Sequence, residues 1–161
     1  MRTKHLLFAI IPLVMAGCGL FKSADDLYKE AETKRNGGEV QAALELLQRI
    51  VNQHTDHKKA SEAQYLIAEI YYRDMRDYSE AIKQYDKVKN NFPDSKQVPF
   101  SLFMQGFIYA NMLSDYDFAK TYYSEFLEEY SNHELAESVS FELKYLGLDI
   151  KEIPTLKHLT K

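Results

Sequence analysis

The chain has 161 residues, 45% of them hydrophobic and 27% charged, with no tryptophan, six glycines and four prolines. Such a composition supports one small folded domain and excludes a low-complexity chain. The formal net charge is −4, and −6 without Arg2 and Lys4, which argues against nucleic acid and against a polybasic membrane footprint, since both need a basic surface.

Residues 1–18 read M-R-T-K-H-L-L-F-A-I-I-P-L-V-M-A-G-C. Arg2 and Lys4 form a basic start, Leu6 to Ala16 an apolar run, and Ala16-Gly17 a small pair before the only cysteine. The run is too short to span a bilayer but suits a secretory h-region. A lone thiol has no disulfide partner within its own chain. In this setting Cys18 resembles a bacterial lipobox, with Met15 where leucine is usual. The resemblance implies a signal peptide over 1–17, cleavage before Cys18, and acyl chains (palmitate among them) on its sulfur and new amino terminus. Two or three acyl chains make a stable anchor where one gives only marginal binding. Gly19, rather than aspartate, follows the cysteine, and by the same resemblance this points to the outer membrane. Residues 18–23 then form the lipidated cysteine and a short tether.

Periodicity and breakers predict helices over about 24–35, 39–53, 58–74, 78–91, 97–113, 116–130 and 134–146. Ser23-Ala24-Asp25-Asp26 has capping-box form. Asn36-Gly37-Gly38 breaks the first pair, and Asp77 and Asp115 open later helices as N-caps. Pro93 stops the helix before it, while Pro99 sits near a helix start, where proline is tolerated. Ser131-Asn132-His133-Glu134 again has capping-box form, and Gly147 is placed to end the last helix as a left-handed C-cap.

The predicted elements repeat. Adding 38 moves Ala68 to Gly106, Tyr71 to Tyr109, Ala81 to Ala119 and Tyr85 to Tyr123; subtracting 38 moves Ala81 to Ala43, Tyr85 to Leu47 and Val88 to Ile50. Asp56, Asp94 and Asn132 share one phase and suit caps or turns. The first copy has one residue fewer between its small positions, Ala31 and Ala43, so its register slips around Asn36-Gly37-Gly38. Small residues where paired helices cross describe helical hairpins of the tetratricopeptide type. The expected fold is all-α, a right-handed superhelical stack of about three such hairpins (24–57, 58–95 and 96–133) and a C-terminal capping helix over 134–147. Leu135, Val139, Leu143 and Leu146 give that cap its apolar face, as an open repeat array requires. The tail, 148–161, carries Leu148, Ile150, Ile153, Leu156 and Leu159, which either fold back onto the cap or dock into a partner.

No catalytic motif is present: no phosphate-cradling glycine loop, no G-x-S-x-G and no H-E-x-x-H. His54 and His57 are three apart in an inter-repeat turn, but a structural metal site needs four ligands of defined geometry, so solvated turn histidines are the better reading. Glu128-Glu129 reads as a solvated helix face. No cofactor, metal or enzymatic activity is expected.

Residues 24 to about 147 resemble tetratricopeptide repeats of the longer-period kind found in periplasmic and outer-membrane proteins. The matching features surround Ala68 and Gly106, with D-Y-x-x-A at Asp77–Ala81, its counterpart at Asp115–Ala119, and F-P-D-S at Phe92–Ser95. With the lipobox, the chain is similar to the BamD-type lipoproteins of the β-barrel assembly machinery, although it has about three repeats where those have about five. The resemblance implies a non-enzymatic, periplasm-facing scaffold anchored in the outer membrane, binding proteins or peptides of the cell envelope through a concave groove lined by the first helix of each pair. Taking Ala31, Ala68 and Gly106 as interface positions, the groove-facing residues are Tyr28, Glu32 and Arg35, then Tyr65, Glu69, Tyr72 and Arg73, then Phe103, Phe107 and Asn111. This mixed aromatic and charged composition is favoured at binding hot spots, but period alone does not separate groove from core. A subunit role in barrel assembly, an accessory role to cell-wall enzymes, and a metal or enzymatic protein using the histidine turn are the rival readings.

Overall fold

The computed structural model describes residues 22–149 and 151–154. Cys18, the expected signal peptide, Ile150, Leu156 and Leu159 lie outside the described residues. Those described form seven helices and no strand: α1 (Ala24–Asn36), α2 (Val40–Gln53), α3 (Lys58–Arg73), α4 (Tyr78–Asn91), α5 (Gln97–Asn111), α6 (Tyr116–Glu129) and α7 (Ala136–Lys144). The fold is all-α, a stack of tetratricopeptide-like hairpins α1–α2, α3–α4 and α5–α6 with α7 packed on the end.

Local chemistry sets the helix starts. The Ser23 hydroxyl accepts the Asp26 amide at 3.2 Å and donates to the Asp26 carboxylate at 2.7 Å. Asp25 and Asp26 also place negative charge at the positive end of the helix dipole. Asp77 and Asp115 cap α4 and α6, accepting the amides of Glu80 at 3.0 Å and Phe118 at 3.3 Å. One position earlier, Gly38, Arg76 and Ser114 all take positive φ, at 80°, 55° and 54°. The tight turn therefore repeats with the 38-residue period even where the residue is not glycine. The missing residue of the first copy falls at the end of α1. There the Glu39 amide bonds back to Lys34, five residues away, whereas Asp77 and Asp115 bond back to Tyr71 and Tyr109, six residues away.

The turns between hairpins differ from expectation. Asp56, Asp94 and Asn132 lie in the turns, but the capping atoms belong to the next residue. His57 Nδ1 accepts the Lys59 amide at 3.1 Å, and His133 Nδ1 accepts the Leu135 amide at 3.2 Å. Backbone closure explains the shift. His57, Ser95 and His133 each donate an amide hydrogen three residues back, to His54, Phe92 and Tyr130; at His57 and His133 this brings the side chain, not that of the preceding residue, over an open amide two residues on. In place of the capping box expected at Ser131–Glu134, His133 serves the Leu135 amide just ahead of α7, and α7 itself has no side-chain cap.

The second helix of each hairpin buries one face at three- and four-residue steps. Ala43, Leu47 and Ile50, then Ala81, Tyr85 and Val88, then Ala119, Tyr123 and Phe126 are all fully buried. Opposite them, Ala31 and Ala68 are fully buried, and Gly106 leaves room for Tyr123: a Cβ at Gly106 would lie 2.5 Å from two ring carbons. Successive first helices touch (α1 with α3, α3 with α5), while successive second helices make no comparable approach. The stack therefore curves with α1, α3 and α5 on its inner face.

α7 is shorter than the expected 134–146. Leu135 is its N-cap and Tyr145 its C-cap. Val139 is fully buried, and Leu135, Leu143 and Leu146 cover the cluster containing Tyr123 and Phe126. Gly147 does take a left-handed φ of 79°, but two residues beyond the C-cap, in a turn where the Leu148 amide bonds the Tyr145 carbonyl at 3.1 Å. A side chain there would meet the Tyr116 ring at 3.3 Å. The chain then turns back and buries Ile153, leaving Leu148 exposed.

Candidate functional site

The inner face is organised around Glu69 of α3. Arg35 of α1 approaches it at 3.8 Å, and Arg73, one turn further along α3, approaches its other oxygen at the same distance. Arg35 is held more tightly by Asp74, Nε to carboxylate at 2.6 Å. Asp74 was not anticipated, because it lies just past the end of α3. A usable signal existed: Arg35 and Asp74 are about one repeat apart, at matching ends of neighbouring first helices.

The tyrosines frame this network. Tyr28 is half-buried under the ammonium of Lys59, 4.1 Å from the ring centre. Its phenol is pushed up to about 12 by burial first and then by Glu32, Glu62 and Glu69, with Arg35 opposing. Tyr65 packs its ring 5.4 Å from that of fully buried Tyr85, and burial, aided by Glu69, also takes its phenol to about 12. Tyr72 lies 6.0 Å from Tyr78. Tyr28 and Tyr65 stay protonated at neutral pH, so they offer ring faces and neutral hydroxyls beside a charged centre, and Tyr72 adds a third ring.

Along α5 the strip changes character. Phe103 sits between Phe107 at 6.1 Å and buried Tyr123 at 6.3 Å, so it belongs as much to the interhelical packing as to the surface. Phe107 is half-buried and lies outside the buried clusters. Asn111 donates to the Phe107 carbonyl at 3.1 Å and borders an open pocket of about 540 Å³ with Tyr116, Phe141, Glu142 and Ile153. Burial raises the Glu142 carboxyl above the usual range. The structure thus brings Tyr28, Arg35, Glu69, Tyr72 and Arg73 into one strip with exposed Glu32 beside it, ties Tyr65 and Phe103 partly into the core, and turns Asn111 toward the capping end.

At the far end of the strip, Tyr72, Arg73, Arg76, Tyr78 and Met112 line an open recess of about 480 Å³. Around it run exposed Met75 and Leu113, which occupy the same phase of successive turns. As for the histidines, His57 commits Nδ1 to its cap, and its Nε2 is 3.7 Å from Asp25. Among the described residues no three His, Cys, Asp or Glu side chains converge as metal ligands would.

A curved stack of hairpins bearing a charged and aromatic strip on its inner helices defines a helical-repeat protein. The family model for the YfiO outer membrane lipoproteins matches residues 21–125, and the chain belongs to that family. The matched region runs from just before α1 into α6. A comparison with curated proteins gave no match.

Proposed function

We propose that this chain is a lipid-anchored scaffold that holds proteins or peptides of the cell envelope at the periplasmic side of the outer membrane. Cys18 carries the acyl chains, residues 19–23 serve as the tether, and the inner face of α1, α3 and α5 captures the partner. The observation that carries this reading is the Tyr28–Arg35–Glu69–Tyr72–Arg73 strip on the inner helices of a chain whose family is one of outer membrane lipoproteins. Anchoring raises the local concentration of the domain at the membrane, so modest groove affinity suffices.

The test is crosslinking in intact cells, comparing wild type with Tyr72→Ala/Phe107→Ala. Those side chains are half-buried and lie outside the fully buried positions, so the domain folds. Loss of defined crosslinked partners is expected; an unchanged pattern refutes the groove. Palmitate labelling of wild type but not of Cys18→Ala tests the anchor. A narrower reading, subunit of the machinery that assembles outer-membrane β-barrels, is favoured by the family. It requires outer-membrane barrel levels to fall on depletion, and normal levels would exclude it.

A further inference from the structure

Resting on the reading of the inner face as a protein-binding surface, we propose that the recess of Tyr72, Arg73, Arg76, Tyr78 and Met112 docks an acidic segment of a partner protein with an apolar anchor residue. Charge selects the first half of that description. Nearby carboxylates are already engaged inside the protein: Asp74 by Arg35 at 2.6 Å, Asp77 by the Glu80 amide at 3.0 Å. The arginines are not. Arg73 reaches Glu69 only at 3.8 Å with its side chain 65% exposed, and exposed Arg76 forms no ion pair among the described residues. On a chain with net negative charge, this recess presents two planar cations that suit carboxylates.

Apolar surface selects the second half. Met112 and the rings of Tyr72 and Tyr78 line the recess, and exposed Met75 and Leu113 extend the adjoining turns. Aromatic and methionine surface next to arginine is the composition of interface cores. Position argues for protein over lipid. The described chain enters at Lys22, and the start of α1 lies beside the turn that precedes α3, where Asp25 is 3.7 Å from His57. The recess lies at the opposite end of α3, about 24 Å away along its sixteen residues. An anchor at Cys18 therefore joins the domain at the end of α3 remote from the recess. Backbone strain points to the same residue. Arg76 sits at φ 55°, where its repeat counterparts are Gly38 and Ser114. A long cationic side chain kept in a conformation that disfavours L-residues suggests a use beyond the turn.

The strain also supplies a clean test. Arg76→Gly removes the guanidinium where glycine is conformationally preferred, so the variant folds at least as well as wild type; Ser114→Gly makes the same change one repeat on, without touching an arginine. The probe is a fluorescent peptide with blocked ends that alternates aspartate with phenylalanine and leucine, read by polarisation against the full chain. Its lysine-for-aspartate counterpart and vesicles of phosphatidylethanolamine and phosphatidylglycerol are the comparators. Expected are binding of the acidic peptide alone, at least tenfold weakening in Arg76→Gly with an undiminished unfolding midpoint, and no change in Ser114→Gly. No binding of the acidic peptide, equal binding of the lysine peptide or the vesicles, or equal affinity of Arg76→Gly overturns the proposal. So does peptide-insensitive dimerisation through this edge, seen by sedimentation. Tyr72 belongs to both surfaces, so Arg76→Gly, which leaves Tyr72 and Phe107 in place, separates them: loss of crosslinked partners in Tyr72→Ala/Phe107→Ala with no acidic-peptide binding to wild type keeps the wider groove and overturns the recess alone.

Discussion

Gly106→Ala is a direct test of how the third hairpin is packed. In a helix interior this change normally stabilises by about 1 kcal/mol, because alanine has less backbone freedom to lose. Here the new Cβ would sit 2.5 Å from Cδ1 and Cε1 of Tyr123 and 3.1 Å from Cζ. Carbon atoms pack comfortably at about 3.5–4.0 Å, so the ring or the helix has to move by roughly 1 Å. The ring has little room, being fully buried, with Phe103 at 6.3 Å. Overpacking of this kind costs about 1–3 kcal/mol. The net expectation is destabilisation by up to about 2 kcal/mol, which lowers the thermal midpoint of a domain this size by up to roughly 8 °C.

The cause can be isolated with Tyr123→Leu, which recreates the pairing of the first hairpin, where fully buried Ala31 and Leu47 occupy these positions. Tyr123→Leu alone is destabilising, by about 2–3 kcal/mol. In its background, however, Gly106→Ala meets no ring and recovers its ordinary helix-forming advantage. The double-mutant cycle should show a coupling equal to the overpacking cost, about 1–3 kcal/mol, read from urea and thermal melts by far-UV circular dichroism. A Gly106→Ala variant more stable than wild type, or one equally destabilised in both backgrounds, refutes the argument.

Tyr85→Phe and Tyr123→Phe each remove a buried hydroxyl with no hydrogen-bond partner among the described residues and should be neutral or stabilising by up to about 1 kcal/mol in the same melts. Burial raises both phenols in the fold, so the stability they confer is complete below the unfolded tyrosine value, about 10, and is lost as pH rises above it; both variants should resist alkaline unfolding better than wild type. Asp74→Ala leaves Arg35 with only the longer Glu69 contact, and a cycle with Arg35→Ala should give a coupling near 1 kcal/mol, reduced by salt. Glu142 is also raised by burial, so its ionised form opposes folding at neutral pH; Glu142→Gln should raise the melting midpoint at pH 7, with the gain shrinking as pH falls toward 4.

The arrangement of hairpins was legible because one offset, 38 residues, carries both the small crossing positions and the second-helix stripes. A periodic burial requirement leaves a periodic sequence. Asp77 and Asp115 were legible for a similar reason, since aspartate ahead of an amphipathic run has few other uses. His57 and His133 were not: histidine rarely announces a cap, and the turn closure that aims its Nδ1 at an amide is a backbone event. The positive φ of Arg76 and Ser114 was equally hidden, because neither residue type favours it; only the phase shared with Gly38 hints at it. The placement of residues on the inner face was legible in part. Arg35, Glu69 and Arg73 fell on the inner face because charge avoids the interior. Tyr65 and Phe103 were ambiguous because an aromatic ring at a crossing can cover the core with one face and solvent with the other, and both do.

The three inter-hairpin turns also expose a weak joint. His57 caps α3 and His133, at matching phase, accepts the Leu135 amide just ahead of α7, but the middle turn has Ser95, whose buried Oγ finds no hydrogen-bond partner among the described residues. α5 has no side-chain cap at all. It tolerates this because Pro99, its third residue, lacks an amide hydrogen, and the Val98 amide is taken by the Ser95 carbonyl at 3.1 Å; Gln97 is left as the amide that a cap would serve. Asparagine accepts from an amide two residues on more effectively than serine does, and Ser95 borders an open space of about 490 Å³ between two turns, so the larger side chain fits. Ser95→Asn should therefore stabilise the fold by about 0.5–1 kcal/mol and slow hydrogen exchange at the Gln97 amide. A stabilised variant with unchanged exchange at Gln97 would mean that the gain comes from elsewhere, and a destabilised one that the turn is already closed.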